Sequence, residues 1–202
     1  MGESIVGGGC GEIVLASGSP RRRDILGDAG FKIKVVSPDV EELLPGALPA
    51  RELCLANARL KVRAVAVHFR NQLVLAADTV VSFQGRVFGK PLDVKEAMSN
   101  LEILRGETHE VMTGVAIRYG EKEVEFIEVS KVTFKDFSNT VIEDYLKEVL
   151  VLDKAGGYAI QDHGDWLVDR VDGDFQNVVG LPLANVLAHL REMGFHPPQH
   201  DA

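Results

Sequence analysis

The sequence has little cysteine: only Cys10 and Cys54 occur in 202 residues, one in a glycine-rich arm and the other in a helix-like segment. Two thiols so placed fit neither a disulfide framework nor a zinc cluster, which predicts a reducing, cytoplasmic compartment. Long apolar runs are missing too. None approaches the roughly 20 residues that span a bilayer, and Met1-Gly2-Glu3-Ser4-Ile5-Val6 lacks the Ser or Thr that a myristoylation signal carries at its sixth place. A soluble, unanchored chain is expected, with no membrane partner. Positive charge is in deficit, since 22 Lys and Arg stand against 30 Asp and Glu for a net charge of -8. That average surface repels a long polyanion, although a pocket can still hold a small anion. Arg21, Arg22 and Arg23 have no interleaved aromatics on which bases would stack, so a nucleic-acid partner is not expected. The six histidines show no metal-ligand spacing and are read as surface or loop residues.

An apolar content of 46% over this length can bury a sizeable core. Residues 1–12, with Gly7-Gly8-Gly9 and Gly11, read as a flexible arm, and 196–202 as a polar tail. The intervening 13–195 reads as a single domain without internal repeats.

Ile13-Val14-Leu15-Ala16 is a short, continuously apolar run that reads as a buried strand, feeding the turn Ser17-Gly18-Ser19-Pro20. A helix follows, with Ser19 as N-cap, Pro20 at the first helical position, an Ile25, Leu26, Ala29 stripe and a stop at Gly30. Residues 32–37 alternate like a strand, 50–68 carry apolar residues at helical spacing, and 73–77 is again a buried strand. Beyond lie a hairpin around Gln84-Gly85, a capped helix over 93–104, and two long strands at 111–119 and 123–134 about Gly120. Helices near 140–150 and 183–193 close the chain, and Trp166 is expected in the core. The pattern implies an α/β fold with one mixed, elongated sheet.

Five segments carry groups suited to chemistry. Ser17 to Arg23 lies where a strand hands over to a helix, whose free N–H groups and partial positive charge suit a phosphate. Cations in a first turn are unfavourable by roughly 0.3–1 kcal/mol each, and an anionic ligand offsets that repulsion. Helical spacing puts Arg22 on the apolar stripe and Arg21 beside it, with Arg23 away, so Arg21 and Arg22 are the candidate ligands. Asp78-Thr79 directly follows the strand 73–77, where open sheets place their ligand crevices. An Asp there can bind a metal or take a proton from water, or it can simply cap a turn. Glu41-Glu42, after the Pro38 break, offers carboxylates that reach the same crevice and form a hard oxygen site for Mg²⁺ or Mn²⁺, or else solvated surface. Lys90, between Gly89 and Pro91, suits charge neutralisation on a phosphoryl oxygen, or is an ordinary turn lysine. In Asp153 to Gln161, Gly156-Gly157 precedes a β-like trio, so that backbone can approach a ligand and Gln161 can read a base edge; a plain loop fits the composition equally.

Taken together, Leu15-Ala16-Ser17-Gly18-Ser19-Pro20-Arg21-Arg22, Ala77-Asp78-Thr79, Gly89-Lys90-Pro91, Asp153-Lys154-Ala155-Gly156, Gly157-Tyr158-Ala159-Ile160-Gln161 and Val178-Val179-Gly180-Leu181-Pro182-Leu183 resemble the Maf family in order and spacing. The resemblance runs from about Ile13 to Phe195. It implies the fold of inosine triphosphate pyrophosphatases, two α/β lobes around an elongated sheet with a cleft between. It also implies cleavage of nucleoside triphosphates between the α and β phosphates, a divalent cation and a homodimer. Carried over by position, the resemblance puts the general base on Asp78, the metal-linked glutamate on Glu41, phosphate-binding groups on Ser17, Ser19, Arg21 and Arg22, and lysines on Lys61 and Lys90. Arg59 is the alternative to Lys61. Gly157-Tyr158-Ala159-Ile160 departs from the usual Ala-Tyr-Gly-Ile. Arg21, Thr79 and Gln161 match the branch that acts on dTTP and UTP. The expected activity is therefore metal-dependent pyrophosphate release from dTTP or UTP, with water attacking the α-phosphorus. The alternatives are a pyrophosphatase for 7-methyl-GTP or another modified purine nucleotide, and a non-catalytic regulator of cell division that binds nucleotide.

Overall fold

The computed structural model describes residues 12–197; residues 1–11 and 198–202, which hold most of the expected arm and tail, lie outside the described residues. The chain opens with strand β1 (Ile13–Leu15), every residue of which is buried. It lies between β2 (Ile33–Val35) and β3 (Leu73–Phe83) and runs parallel to both. Such a strand is covered on both faces, which is why it reads as an unbroken apolar run rather than an alternating one. From β3 the sheet turns antiparallel through β5 (Thr108–Tyr119), β6 (Lys122–Phe134) and β7 (Val168–Asp172), giving the order β2-β1-β3-β5-β6-β7. The short β4 (Arg86–Phe88) pairs with the far end of β3. Gln84 and Gly85, both at positive φ (50° and 79°), make the tight turn between them.

Helix α1 (Pro20–Asp28) begins at Ser19 and is followed by Gly30 at φ 90°. Helix α2 (Ala50–Ala66) packs along the sheet, contributing Ala58 and Val62 to a core with Val74, Ala76 and Ala116. Its close approach depends on Gly114 of β5, where an added Cβ would lie 2.6 Å from the Cys54 carbonyl carbon and the Leu55 nitrogen. Helix α3 (Val94–Leu104) is capped by Asp93, which accepts from the Glu96 N–H at 2.8 Å, and α4 (Asn139–Glu148) by Ser138. Two short helices, α5 (Gly164–Leu167) and α6 (Phe175–Val179), flank β7, and α7 (Leu183–Glu192) closes the fold.

Two large apolar clusters divide the interior. One gathers Leu101, Leu104, Phe134, Ile142, Tyr145 and Leu167, with Trp166 partly buried against it. The other gathers Ile13, Leu15, Leu26, Leu75, Ile117 and Leu190. No helix among the described residues is long and apolar enough to cross a membrane.

Three sequence expectations need correction. Strand β3 does not end at Ala77: its ladder with β5 continues through Asp78 opposite Gly114 and Thr79 opposite Thr113 to Ser82 opposite Glu110. Two polar residues inside an apolar run resemble a strand end, but cross-strand pairing overrides that local signal. Tyr158, Ala159 and Ile160 form no strand; they follow a 3₁₀ turn at Ala155–Gly157 in which both glycines have positive φ. Finally, His109 is a core residue, 1% exposed, rather than a surface or loop histidine. Its Nε2 lies 2.8 Å from the Tyr158 hydroxyl, and its ring meets Phe134 edge-on.

Candidate active site

A cleft of about 390 Å³ opens between the two apolar clusters, in the size range of small-molecule sites. Its walls come from the β1–α1 loop, the middle of β3, the face of α2, the Gly89-Lys90 loop and the segment from Asp153 to Gln161. Val81, Val111, Tyr158 and Val179 supply apolar lining.

At the β1–α1 junction the Ser17 hydroxyl oxygen accepts from the Ser19 N–H and from Arg22 Nη1, both at 3.2 Å. Ser19 holds the N-cap position, but its side chain makes no capping bond, and Pro20 at the first helical position has no N–H. The Arg21 and Arg22 N–H groups precede the first intrahelical bond, from Arg23 N to Ser19 O. This helix end therefore presents backbone donors to an anion.

The three arginines part company here. Arg22 is held from three directions: Nε donates to Gly180 O at 2.8 Å, Nη1 to Ser17 and Nη2 to Thr79 Oγ1 at 3.0 Å. Burial lowers its pKa and the neighbouring Asp78 opposes that shift. A guanidinium does not lose its proton in a protein, so the strain is relieved by an anion rather than by neutralisation. Arg21 is more open and reaches Asp153 Oδ2 at 3.4 Å. Burial raises the Asp153 pKa, but Lys154 and Arg21 outweigh it and hold the carboxyl low. Arg23 pairs with its neighbour Asp24 and lies outside the cleft lining.

In the cleft floor, Asp78 is 8% exposed. Its Oδ1 accepts from Lys61 Nζ at 2.7 Å and its Oδ2 from Asn57 Nδ2 at 3.4 Å. Asn57 and Lys61 are four residues apart and share one face of α2, as helical spacing requires. Lys61 Nζ also lies 2.7 Å from Glu42 Oε2, so one buried ammonium joins two carboxylates. Burial raises the Glu42 pKa, but the bond and charge of Lys61, with Lys90 and Asp78, outweigh it and hold Glu42 below its usual range.

The structure does not bring Glu41, on which the resemblance puts the metal-linked glutamate, to the cleft. Glu41 is exposed and absent from the cleft wall, whereas its neighbour Glu42 lines it. The cause is Asn57, which accepts from the Leu43 N–H at 2.8 Å and donates to Leu43 O at 3.1 Å, fixing the segment with Glu42 facing Lys61. Arg59 is also elsewhere, paired with Glu125 at 2.6 Å.

Lys90 stands exposed on the cleft wall. Its loop is confined: the Gly89 carbonyl accepts from Gly156 N at 3.0 Å, and a Cβ on Gly89 would lie 2.9 Å from Pro45. Gln161 is exposed at the cleft edge. Thr79 also lines the cleft, and its hydroxyl meets Thr113 Oγ1 at 2.9 Å.

Sequence reasoning missed Lys154, Thr113 and Asn177. Lys154 is buried, lines the cleft, and donates to Leu150 O and to Asp153 Oδ1. Asn177, fully buried, donates from Nδ2 to Val111 O and Ser130 Oγ. Lys154 stands inside a segment singled out for other residues, Asn177 one position before another and Thr113 within a predicted strand, and only burial distinguishes the three.

Among the described residues no cluster of three or more His, Cys, Asp or Glu side chains forms a metal cage. The carboxylates of Asp78 and Glu42, brought together on Lys61, are hard oxygen donors of the number that Mg²⁺ usually takes from protein, the remaining positions going to phosphate oxygens and water. The donor set suits such an ion when it arrives with a phosphate ligand, and not a resident structural metal.

Comparison with known proteins follows the same lines. A family model described as Maf-like protein matches residues 12–193. A protein of Akkermansia muciniphila named dTTP/UTP pyrophosphatase is 41% identical over 183 residues, covering 91% of this chain and 97% of its own. A protein of the same name from Cytophaga hutchinsonii is 42% identical over 190 residues, covering 92% and 85%. One from Bacillus mycoides is 41% identical over 181 residues, covering 90% and 95%. Among solved structures, the Staphylococcus aureus Ham1 protein superposes with a TM-score of 0.53 over 91% of this chain and all of its own, at 15% identity, a likeness of fold alone.

Proposed function

The chain belongs to the Maf family, and from that premise we propose that it hydrolyses dTTP and UTP to the monophosphate and pyrophosphate. The observation that carries the reading is the Asp78–Lys61–Glu42 centre, which shares one cleft with the N-terminal end of α1 and its unbonded backbone N–H groups. Relatives at about 40% identity carry the dTTP/UTP pyrophosphatase name over nearly their whole length, which supports the same substrates here.

In this reading the triphosphate lies against the α1 N-terminus. Ser17, Ser19 and the backbone N–H groups bind phosphate oxygens, and Arg21, Arg22 and Lys90 offset their charge. Asp78 holds the attacking water and takes its proton, in line with its position in the cleft floor. Lys61 positions the Asp78 carboxylate and, with Lys90, stabilises the charge that builds on the leaving pyrophosphate. A divalent cation, Mg²⁺ or Mn²⁺, would be held by Asp78 and Glu42 and would supply Lewis acidity at the phosphate oxygens and a more acidic water. Thr79 and Gln161 face the base. The catalytic domain spans 13–195, and the resemblance that suggests the substrate also suggests a homodimer in the cytoplasm.

The experiment is pyrophosphate release from a panel of ordinary and modified nucleoside triphosphates, with and without Mg²⁺ or Mn²⁺, alongside Asp78→Asn. Metal-dependent release from dTTP and UTP that is lost in the variant is expected. Preferential release from 7-methyl-GTP would overturn the substrate assignment. Binding of nucleotide without release would favour the regulatory reading.

A further inference from the structure

The hydroxyl of Thr79 belongs to a chain of hydrogen bonds whose direction the geometry settles. Thr113 Oγ1 lies 3.2 Å from the Asn177 carbonyl oxygen and 2.9 Å from Thr79 Oγ1. A carbonyl has no proton to give, so both contacts are hydrogen bonds only when the single proton of Thr113 goes to Asn177. Thr113 must then accept from Thr79, which uses the one proton of Thr79. On its other side Thr79 Oγ1 accepts from Arg22 Nη2 at 3.0 Å, and a guanidinium can only donate. A hydroxyl has one proton and two lone pairs. With the proton and one lone pair committed, Thr79 has a single lone pair left for whatever fills the cleft it lines.

We infer that Thr113 is a positioning residue for base selection: it holds Thr79 as a pure hydrogen-bond acceptor, and so selects a pyrimidine that presents an N3–H donor. The inference rests on the nucleotide reading of the cleft. Uracil and thymine carry a proton on N3, whereas cytosine carries a lone pair there. A rotatable hydroxyl would serve both, by donating to one and accepting from the other. A hydroxyl pinned by Thr113 and Arg22 meets the N3 lone pair of cytosine with its own, leaving two acceptors face to face and unpaired. Sites built in this manner discriminate more strongly than those relying on shape, because the wrong ligand strands a buried polar group.

The pinning is well supported from behind. Thr113 is fully buried, and α6, whose backbone supplies the Asn177 carbonyl, is tied to the sheet through Asn177 Nδ2 on Val111 O and Ser130 Oγ. The Asp174 cap holds the start of the same helix, and the Gly180 carbonyl just beyond its end takes Arg22 Nε. One short helix thus fixes both neighbours of the Thr79 hydroxyl.

The test compares kcat/KM for UTP and CTP in the wild-type protein, Thr113→Val and Thr113→Ser. Wild type is expected to prefer UTP by about a hundredfold or more, on the scale at which a stranded polar group discriminates. Thr113→Val frees the Thr79 proton, so the UTP:CTP ratio should fall at least tenfold, mainly by a gain on CTP relative to UTP. Thr113→Ser restores the hydroxyl and should restore the ratio. A valine variant that keeps the wild-type ratio would overturn the inference, while a general loss of stability would lower both rates and leave the ratio unmoved. Should the valine variant fail to fold, 3-methyl-UTP on the wild-type protein decides: hydrolysis at the UTP rate rules out an N3–H contact. If no nucleotide yields pyrophosphate in wild type, the failure lies with the parent reading and not with Thr113.

Discussion

Gly114 on β5 brings the backbone of Cys54 so close that a Cβ on the glycine would stand 2.6 Å from the Cys54 carbonyl carbon. The same glycine is the cross-strand partner of Asp78. The missing side chain therefore sets the distance between α2 and the strand that carries Asp78, and with it the Lys61 to Asp78 contact about two turns further along the helix.

Gly114→Ala should accordingly damage both stability and activity. The obstacle is backbone, which cannot swing aside, so α2 must shift. Overpacking of this kind costs about 1–3 kcal/mol, and thermal unfolding should show it. A displacement on the order of 1 Å at a catalytic group can cost about a hundredfold in rate, so kcat should fall further than stability alone explains. Full activity in this variant would show that Lys61 and Asp78 tolerate a wider spacing.

Glu42 and Glu41 give a sharp comparison, since they are sequence neighbours and only Glu42 pairs with Lys61, at 2.7 Å. Glu42→Gln should lower kcat/KM by about ten- to a hundredfold, as losses of groups that orient a charged centre do, while Glu41→Gln stays within about twofold. A pH effect accompanies it. Glu42 has a depressed pKa despite a burial cost, through Lys61 first and then Lys90 and Asp78. Its stabilising contribution is present above the unfolded carboxyl pKa and is lost as pH falls through the lower folded one. Lys61→Met removes the principal cation and leaves the burial, so the acid limb of the pH–rate profile should move upward.

His109 provides an independent pH signature. Burial pushes its pKa down to about 4 from an ordinary 6.5. Between those values the unfolded chain binds a proton that the folded protein refuses, so stability falls as pH is lowered from 6.5 and this contribution levels off near 4. One such group gives a slope of about 1.4 kcal/mol per pH unit at most. His109→Phe should flatten that part of the stability curve in denaturant titrations at several pH values, although it leaves the Tyr158 hydroxyl without its partner and lowers stability at neutral pH. An unchanged slope would mean that His109 is reached by water or by a proton before unfolding.

How far the sequence announces this molecule depends on the range of the interactions. Strand β1, the Ser19-Pro20 helix start, the Gln84-Gly85 turn and the Asp93 cap are local features, fixed by residues within a few positions of one another, and they are legible. The length of β3 is not, because Asp78 and Thr79 mimic a strand end and are held in the strand by pairing with Gly114 and Thr113 across the sheet. Edge strand β7 and the five-residue α6 are too polar or too short to show a period. In the cleft, the glycine-flanked and helix-start residues stand out by their unusual local setting. Asn57, Thr113 and Asn177 do not, since each acts through partners 14 to 66 positions away. The choice between Glu41 and Glu42 has the same origin: it is made by Asn57, on another element, and not by the Glu-Glu pair itself.

Arg21 and Arg22 are adjacent and carry the same charge, yet they should differ in what they tolerate. Arg22 spends three separate N–H directions on Gly180 O, Ser17 Oγ and Thr79 Oγ1, a fan that a planar fork can make and a single ammonium cannot. Arg22→Lys keeps the charge while losing at least two of those bonds, and it releases the acceptor side of Thr79. Its kcat/KM for dTTP should drop by about a hundredfold, with a modest loss in thermal stability. Among the described residues Arg21 makes one long contact, to the exposed Asp153 carboxylate, an interaction worth little in water, so Arg21→Lys should retain activity within about tenfold and unfold at the wild-type temperature. Parallel steady-state kinetics on the two lysine variants decide the matter. Equal losses would mean that the cleft uses the two arginines only as charge, and that the fixed geometry around Arg22 contributes nothing to turnover.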